Sequence, residues 1–149
     1  MKQVLQVCHG YAPPFADVAR QYAVLFRDTE YRVTTVYLTG KTDEKVREES
    51  SSHEVIFLEN SSRELRGLKL KQIRQLRAIA QTRAFDFAIA HRFKSIYVSC
   101  HINSLAVIGV HHAFGDYKRL SRRVSLTYRK NGCSFLAYRM QCGTTSGVH

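Results

Sequence analysis

Three apolar runs in this chain close on histidine. Val4-Leu5-Gln6-Val7-Cys8 ends in His9-Gly10-Tyr11, the run from Phe85 to Ala90 ends in His91-Arg92, and the run from Leu105 to Val110 ends in His111-His112. Gly115-Asp116-Tyr117-Lys118-Arg119 follows the last of these. An imidazole can donate to a sugar hydroxyl or a phosphate oxygen, and near neutral pH it can carry the positive charge that a departing diphosphate needs. A single histidine at such a position reads equally well as a hydrogen-bonded loop residue; three at equivalent positions point to a site. Metal chemistry is not expected, because no carboxylates or thiols stand nearby at ligand spacing. Cys8, Cys100, Cys133 and Cys142 form no CxxC pair and read as reduced thiols.

The elements that would position these groups follow from the pattern around them. The first run reads as a strand, since His-Gly-Tyr-Ala-Pro-Pro stops it and suits a loop. Val18, Tyr22, Leu25 and Phe26 then recur at the spacing of a helix that buries one face, starting near Asp17. Tyr31 to Leu38, rich in β-branched and aromatic residues, completes a βαβ unit. Lys41 to Ser52 has no apolar period and reads as a surface loop or a frayed helix, and Val55 to Leu58 as a third strand. Leu70, Ile73, Leu76 and Ala80 place a helix within Leu65 to Ala84, and a short helix fits between Lys94 and His101. Strands that are continuously apolar and alternate with helices predict an α/β, Rossmann-like parallel sheet of about five strands with helices on both faces. In such a sheet ligands bind beyond the carboxyl ends of the strands. The expected binding residues are therefore His9, Gly10, Tyr11, His91, Arg92, His112 and Lys118, with His111 beside them.

Composition narrows the function classes. The 149 residues suit one ordinary domain, and 44% hydrophobic with 23% charged residues is the balance of a folded globular chain. No apolar run is long enough to cross a bilayer, and the N-terminus lacks the apolar segment of a signal peptide, so a cytoplasmic location is expected. The net charge of +11 suggests polyanions, but all 12 acids lie at or before Asp116 and seven Lys or Arg lie beyond it, so the excess belongs largely to the segment from Tyr117 to His149. Neither GxGxxG nor GxxxxGK[ST] occurs, which excludes the usual dinucleotide and P-loop signatures. The cations Lys69, Lys71, Arg74, Arg77 and Arg83 read first as a solvated helix face and second as a peripheral contact with an anionic membrane, at the inner face of the cytoplasmic membrane.

The order VLQVCHGYAPPFADVARQYAVLF, YRVTTVYLTG, FDFAIAHRFKS, LAVIGVHHAFGDYKR is similar to the N-terminal domain of the retaining GT-B glycosyltransferases (family 4-like). Within that group it resembles bacterial enzymes that extend the core oligosaccharide of lipopolysaccharide. The resemblance spans residues 1–123. It implies an acceptor-side half of a two-domain transferase, with a sugar nucleotide as the donor substrate and no further cofactor. The acceptor it implies is a lipid-linked oligosaccharide. By position, His9 and Gly10 would face the donor phosphates or the acceptor, His91 would line the cleft, and His111 would be the catalytic histidine near the transferred sugar. The first loop departs from the family's paired glycines, having Gly10 and then Pro13 and Pro14. The second, nucleotide-binding domain has no counterpart in these 149 residues, so the chain alone is expected to transfer no sugar.

Two other readings stand beside this one: a basic nucleic-acid-binding protein, drawing on Tyr128, Arg129 and Lys130 but without a recognisable motif, and a Rossmann-like interaction module without chemistry. Residues 124–149 form a separate, non-core tail in this reading. Written in GC-rich codons and read one frame over, Cys133 to Gly147 gives LLLGVSDAVRDDIR, which resembles the family's link into its second domain. A frameshift between about Val124 and Asn131 would account for the tail's acid-free composition.

Overall fold

The computed structural model describes residues 1–11, 15–41, 53–61, 69–102 and 104–110. The strands are β1 (Lys2–Gly10), β2 (Tyr31–Thr39), β3 (Glu54–Asn60), β4 (Phe87–His91) and β5 (Ala106–Val110), and the helices are α1 (Phe15–Phe26), α2 (Leu70–Thr82) and α3 (Arg92–Ser99). All five strands are parallel, in the order β3-β2-β1-β4-β5. The expected Rossmann-like α/β sheet is thus present. The segment 42–52, residues 62–68, where the sequence places the start of the second helix, and everything after Val110 lie outside the described residues.

Strand alternation divides the sheet's side chains between two faces. Leu5, Val7, Val36, Leu38, Ala88, Ala90 and Val107 meet Ile73 and Leu76 of α2 and Ile96 and Val98 of α3 in one large aliphatic cluster. Val4, Val33 and Ile89 face the other way, toward Tyr22 and Phe26 of α1, and Cys8 and Tyr37 join Ala19 nearer the carboxyl ends. Fully burying a leucine or isoleucine contributes about 1.5–3 kcal/mol, and Leu5, Leu38, Leu76 and Ile96 are each 0% exposed. On β5, Gly109 lets α3 come close, since a Cβ there would stand 3.1 Å from Ile96 Cδ1.

The helix α1 departs from the expected face. Leu25 is 70% exposed, while Ala16 and Ala19 are buried. The buried stripe runs through Ala19, Tyr22 and Phe26, because small residues let the helix axis sit close to the sheet and turn Leu25 outward. Likewise Leu70, at the first turn of α2, is 56% exposed. The fourth strand begins at Phe87 rather than Phe85, and the third helix begins at Arg92, directly after the strand.

Candidate functional site

The sheet changes its winding direction at β1: the chain moves outward through β2 and β3, then crosses back to place β4 on the other side of β1. The crevice beyond the carboxyl ends of β1 and β4 is the switch point where open parallel sheets hold their ligands. His9 and Gly10 end β1, and His91 and Arg92 mark the junction of β4 with α3, so four of the expected residues meet at this point.

Their roles differ. Gly10 is buried and pairs with Thr39 of β2. A Cβ on Gly10 would lie 2.6 Å from Thr39 Oγ1, and that hydroxyl donates to the His9 carbonyl at 2.9 Å. Gly10 therefore makes room for the bond that ties β2 to the end of β1. Tyr11 turns toward β2 and β3, its ring edge-on to Tyr37 at 5.4 Å and to Phe57 at 5.9 Å, away from the β1–β4 crevice.

His91 is only 2% exposed. Its Nε2 lies 3.0 Å from Oε1 of the fully buried Gln6, and its ring meets Tyr22 edge-on at 4.7 Å. The Gln6 amide nitrogen donates to the Ala19 carbonyl at 3.0 Å and to Thr35 Oγ1 at 2.9 Å. A carbonyl can only accept, so the amide nitrogen end is fixed toward α1 and Oε1 must accept from His91. The His91 proton therefore sits on Nε2. This histidine is a strut inside the α1 face, and the neighbour that carries charge to the surface is Arg92.

Arg92 has φ of 67°, the left-handed region, at the first residue of α3. A side chain there costs on the order of 1 kcal/mol. Lys94 follows two residues later. Burial first, then the charges of Lys94 and Arg92, hold the His9 imidazole below its usual basicity. Lys69 precedes α2, also with a left-handed φ of 54°, and its ammonium stands 4.9 Å over the Tyr97 ring of α3. Burial, then the charge of Lys94, lowers its basicity as well.

Both α2 and α3 begin at this edge, and neither has an acid in its first turn. Helix N-termini carry partial positive charge and favour anions. Lys69, Arg92 and Lys94 are placed against that preference. The sequence pattern places Lys69 on a solvated basic helix face and does not single out Lys94; the readable signal is cations at two helix starts where acids are usual. Gln6 was legible as a lone polar residue in an apolar strand, but its partners were not.

His111, His112 and Lys118 lie outside the described residues. Among the described residues no three His, Cys, Asp or Glu side chains are grouped to hold a metal ion, and no helix is long and apolar enough to cross a membrane. Cys8 and Cys100 are buried thiols, and burial pushes the Cys8 thiol up to about 12, leaving it protonated and unreactive at neutral pH. Comparison of the chain with family models, with curated proteins and with solved structures gives no match.

Proposed function

We propose that the chain is the acceptor-side half of a two-domain, sugar-nucleotide-dependent glycosyltransferase of the GT-B type, acting in lipopolysaccharide or other cell-surface polysaccharide synthesis, and inactive alone. The observation that supports it best is the cationic carboxyl edge: Arg92 and Lys94 act on His9 at the switch point, and Lys69, within reach of the Lys94 charge, extends the edge, on two helices whose first turns lack acids. Such an edge favours an anion, because helix dipoles and guanidinium or ammonium groups act on the same phosphate. A phosphorylated saccharide supplies both that anion and hydroxyls for His9. The resemblance noted in the sequence gives the reaction class.

The test is nuclear magnetic resonance of the 149-residue chain titrated with a phosphorylated core oligosaccharide. Amide shifts are expected at His9, Arg92 and Lys94. Arg92→Gly should weaken the binding while leaving stability level or higher, since glycine accepts the left-handed backbone without strain. Shifts with inorganic phosphate but with no saccharide would remove the glycosyltransferase reading. Turnover of a sugar nucleotide by the purified chain would overturn the view that it holds half of the cleft.

A further inference from the structure

The opposite, amino edge of the sheet holds a groove of about 710 Å³, within the size range of small-molecule sites. Arg27, just after α1, Arg32 at the start of β2, and Arg83 at the end of α2 all line it, with the part-buried rings of Phe26 and Tyr31 as its apolar wall. Glu54 is the acid in that lining, and it is held by Arg83 through both carboxylate oxygens and by the Thr34 hydroxyl at 3.1 Å. Among the described residues Arg27 and Arg32 have no ion pair, so the groove keeps an excess of positive charge.

Helix C-termini end here, and their partial negative charge accounts for arginines at positions 27 and 83. It does not account for Arg32, which lies on a strand, nor for the concavity. Two of the carbonyls ending α1 are moreover already engaged. Val24 O accepts from the Arg27 N–H at 3.1 Å, and Phe26 O accepts from the Thr29 N–H at 3.1 Å and from its hydroxyl at 2.7 Å. The guanidinium groups of Arg27 and Arg32 therefore remain for something other than the helix end.

We propose that this groove is a second binding site, separate from the carboxyl edge, for the phosphate group of a small molecule whose ring rests against Phe26 and Tyr31. Guanidinium groups recognise phosphate through paired, charge-assisted hydrogen bonds, and part-buried aromatic edges suit a sugar or base ring. Phosphate on a sugar, phosphate on a nucleoside and free phosphate share this chemistry.

Titration of the isotope-labelled full chain with adenosine monophosphate, with glucose 6-phosphate and with inorganic phosphate, each at constant ionic strength, tests it. Site-specific shifts are expected at Thr29, Arg32 and Val33. The double variant Arg27→Ser, Arg32→Ser changes exposed side chains and should keep the far-ultraviolet spectrum while lowering affinity at least about tenfold. A tighter complex with one ester than with phosphate identifies the ring; equal affinities for the esters and phosphate would overturn the ring contact with Phe26 and Tyr31. Shifts reproduced by sodium chloride, shifts confined to Lys69, Arg92 and Lys94, or unchanged affinity in the double variant would each overturn the proposal.

Discussion

The two faces of the sheet are built on different plans. Toward α2 and α3 the strands present one continuous aliphatic cluster, their own polar residues standing only toward its ends, such as Thr34 at the amino edge and Asn60, which donates to Leu38 O and to Gln75, at the carboxyl edge. Toward α1 the apolar contacts fall into two separate groups, Val4 with Val33 and Ile89, and Cys8 with Ala19 and Tyr37. Between them, in register, lies the pair Gln6 and Thr35, with His91 reaching in from β4. The aliphatic face is non-directional and supplies stability by area. The polar layer is directional: a slip of β1 would leave Gln6 buried without partners, so it fixes how β1, β4 and α1 meet at the carboxyl edge.

The contrast predicts where the chain breaks most readily. Leu76→Ala removes a fully buried side chain from the continuous cluster, and a loss of about 2–5 kcal/mol is expected, read from the urea midpoint. That is a large fraction of the total stability of an ordinary domain. Gln6→Leu should cost less, about 1–3 kcal/mol, chiefly because the His91 N–H and Thr35 hydroxyl are left buried and unsatisfied. Combining it with His91→Leu should cost clearly less than the sum of the two single changes. Additive losses would show that the layer does not act as a unit.

This difference between the faces also governs what could be read in the sequence. The α2/α3 face was legible because its strands are continuously apolar and Ile73 and Leu76 keep helical spacing. The α1 face misled: periodicity favoured Leu25, whereas the packing uses Ala19 and leaves Leu25 outside, a choice set by how closely the helix approaches the sheet. Of the candidate site, the carboxyl-edge position of His9 and Arg92 followed from strand ends alone. That His91 turns inward did not, since it depends on Gln6 lying 85 residues earlier on the neighbouring strand. The amino-edge groove was invisible for the same reason, its arginines coming from three elements whose ends meet only after the sheet has formed.

Protonation separates the regions more gently. His9 and His53 are both held below their ordinary value of 6.5, chiefly by burial. The unfolded chain then binds more protons than the folded one as pH drops below 6.5, so stability should be full above that value and decline through the folded pKa values. Glu54, held low by Arg83, adds a further decline below its ordinary 4.5. Urea midpoints measured from pH 8 downward, about the range histidine spans, should fall monotonically; a rise toward acid would contradict the burial of both imidazoles. At the rim itself, Lys94→Ala should raise the His9 pKa without returning it to the ordinary value, because burial is the larger cause.

The smallest effect is expected where hydrogen bonds are plentiful but exposed. Arg83 grips Glu54 at both oxygens, one contact being 2.5 Å, and Thr34 adds a third bond to the same carboxylate. On bond count this resembles the Gln6 layer. The side chains of Arg83 and Glu54, however, are 38% and 40% exposed, so water replaces the lost partner when Arg83 is removed. Arg83→Ala should therefore cost less than about 1 kcal/mol, and the cost should shrink further with added salt. Gln6→Leu has no such replacement, because water does not reach the layer beneath α1, and its cost should be nearly independent of salt. If Arg83→Ala proves as damaging as Gln6→Leu, or equally insensitive to salt, then burial is not what distinguishes the two clusters, and the rigidity assigned to the α1 face would have to come from its apolar groups instead.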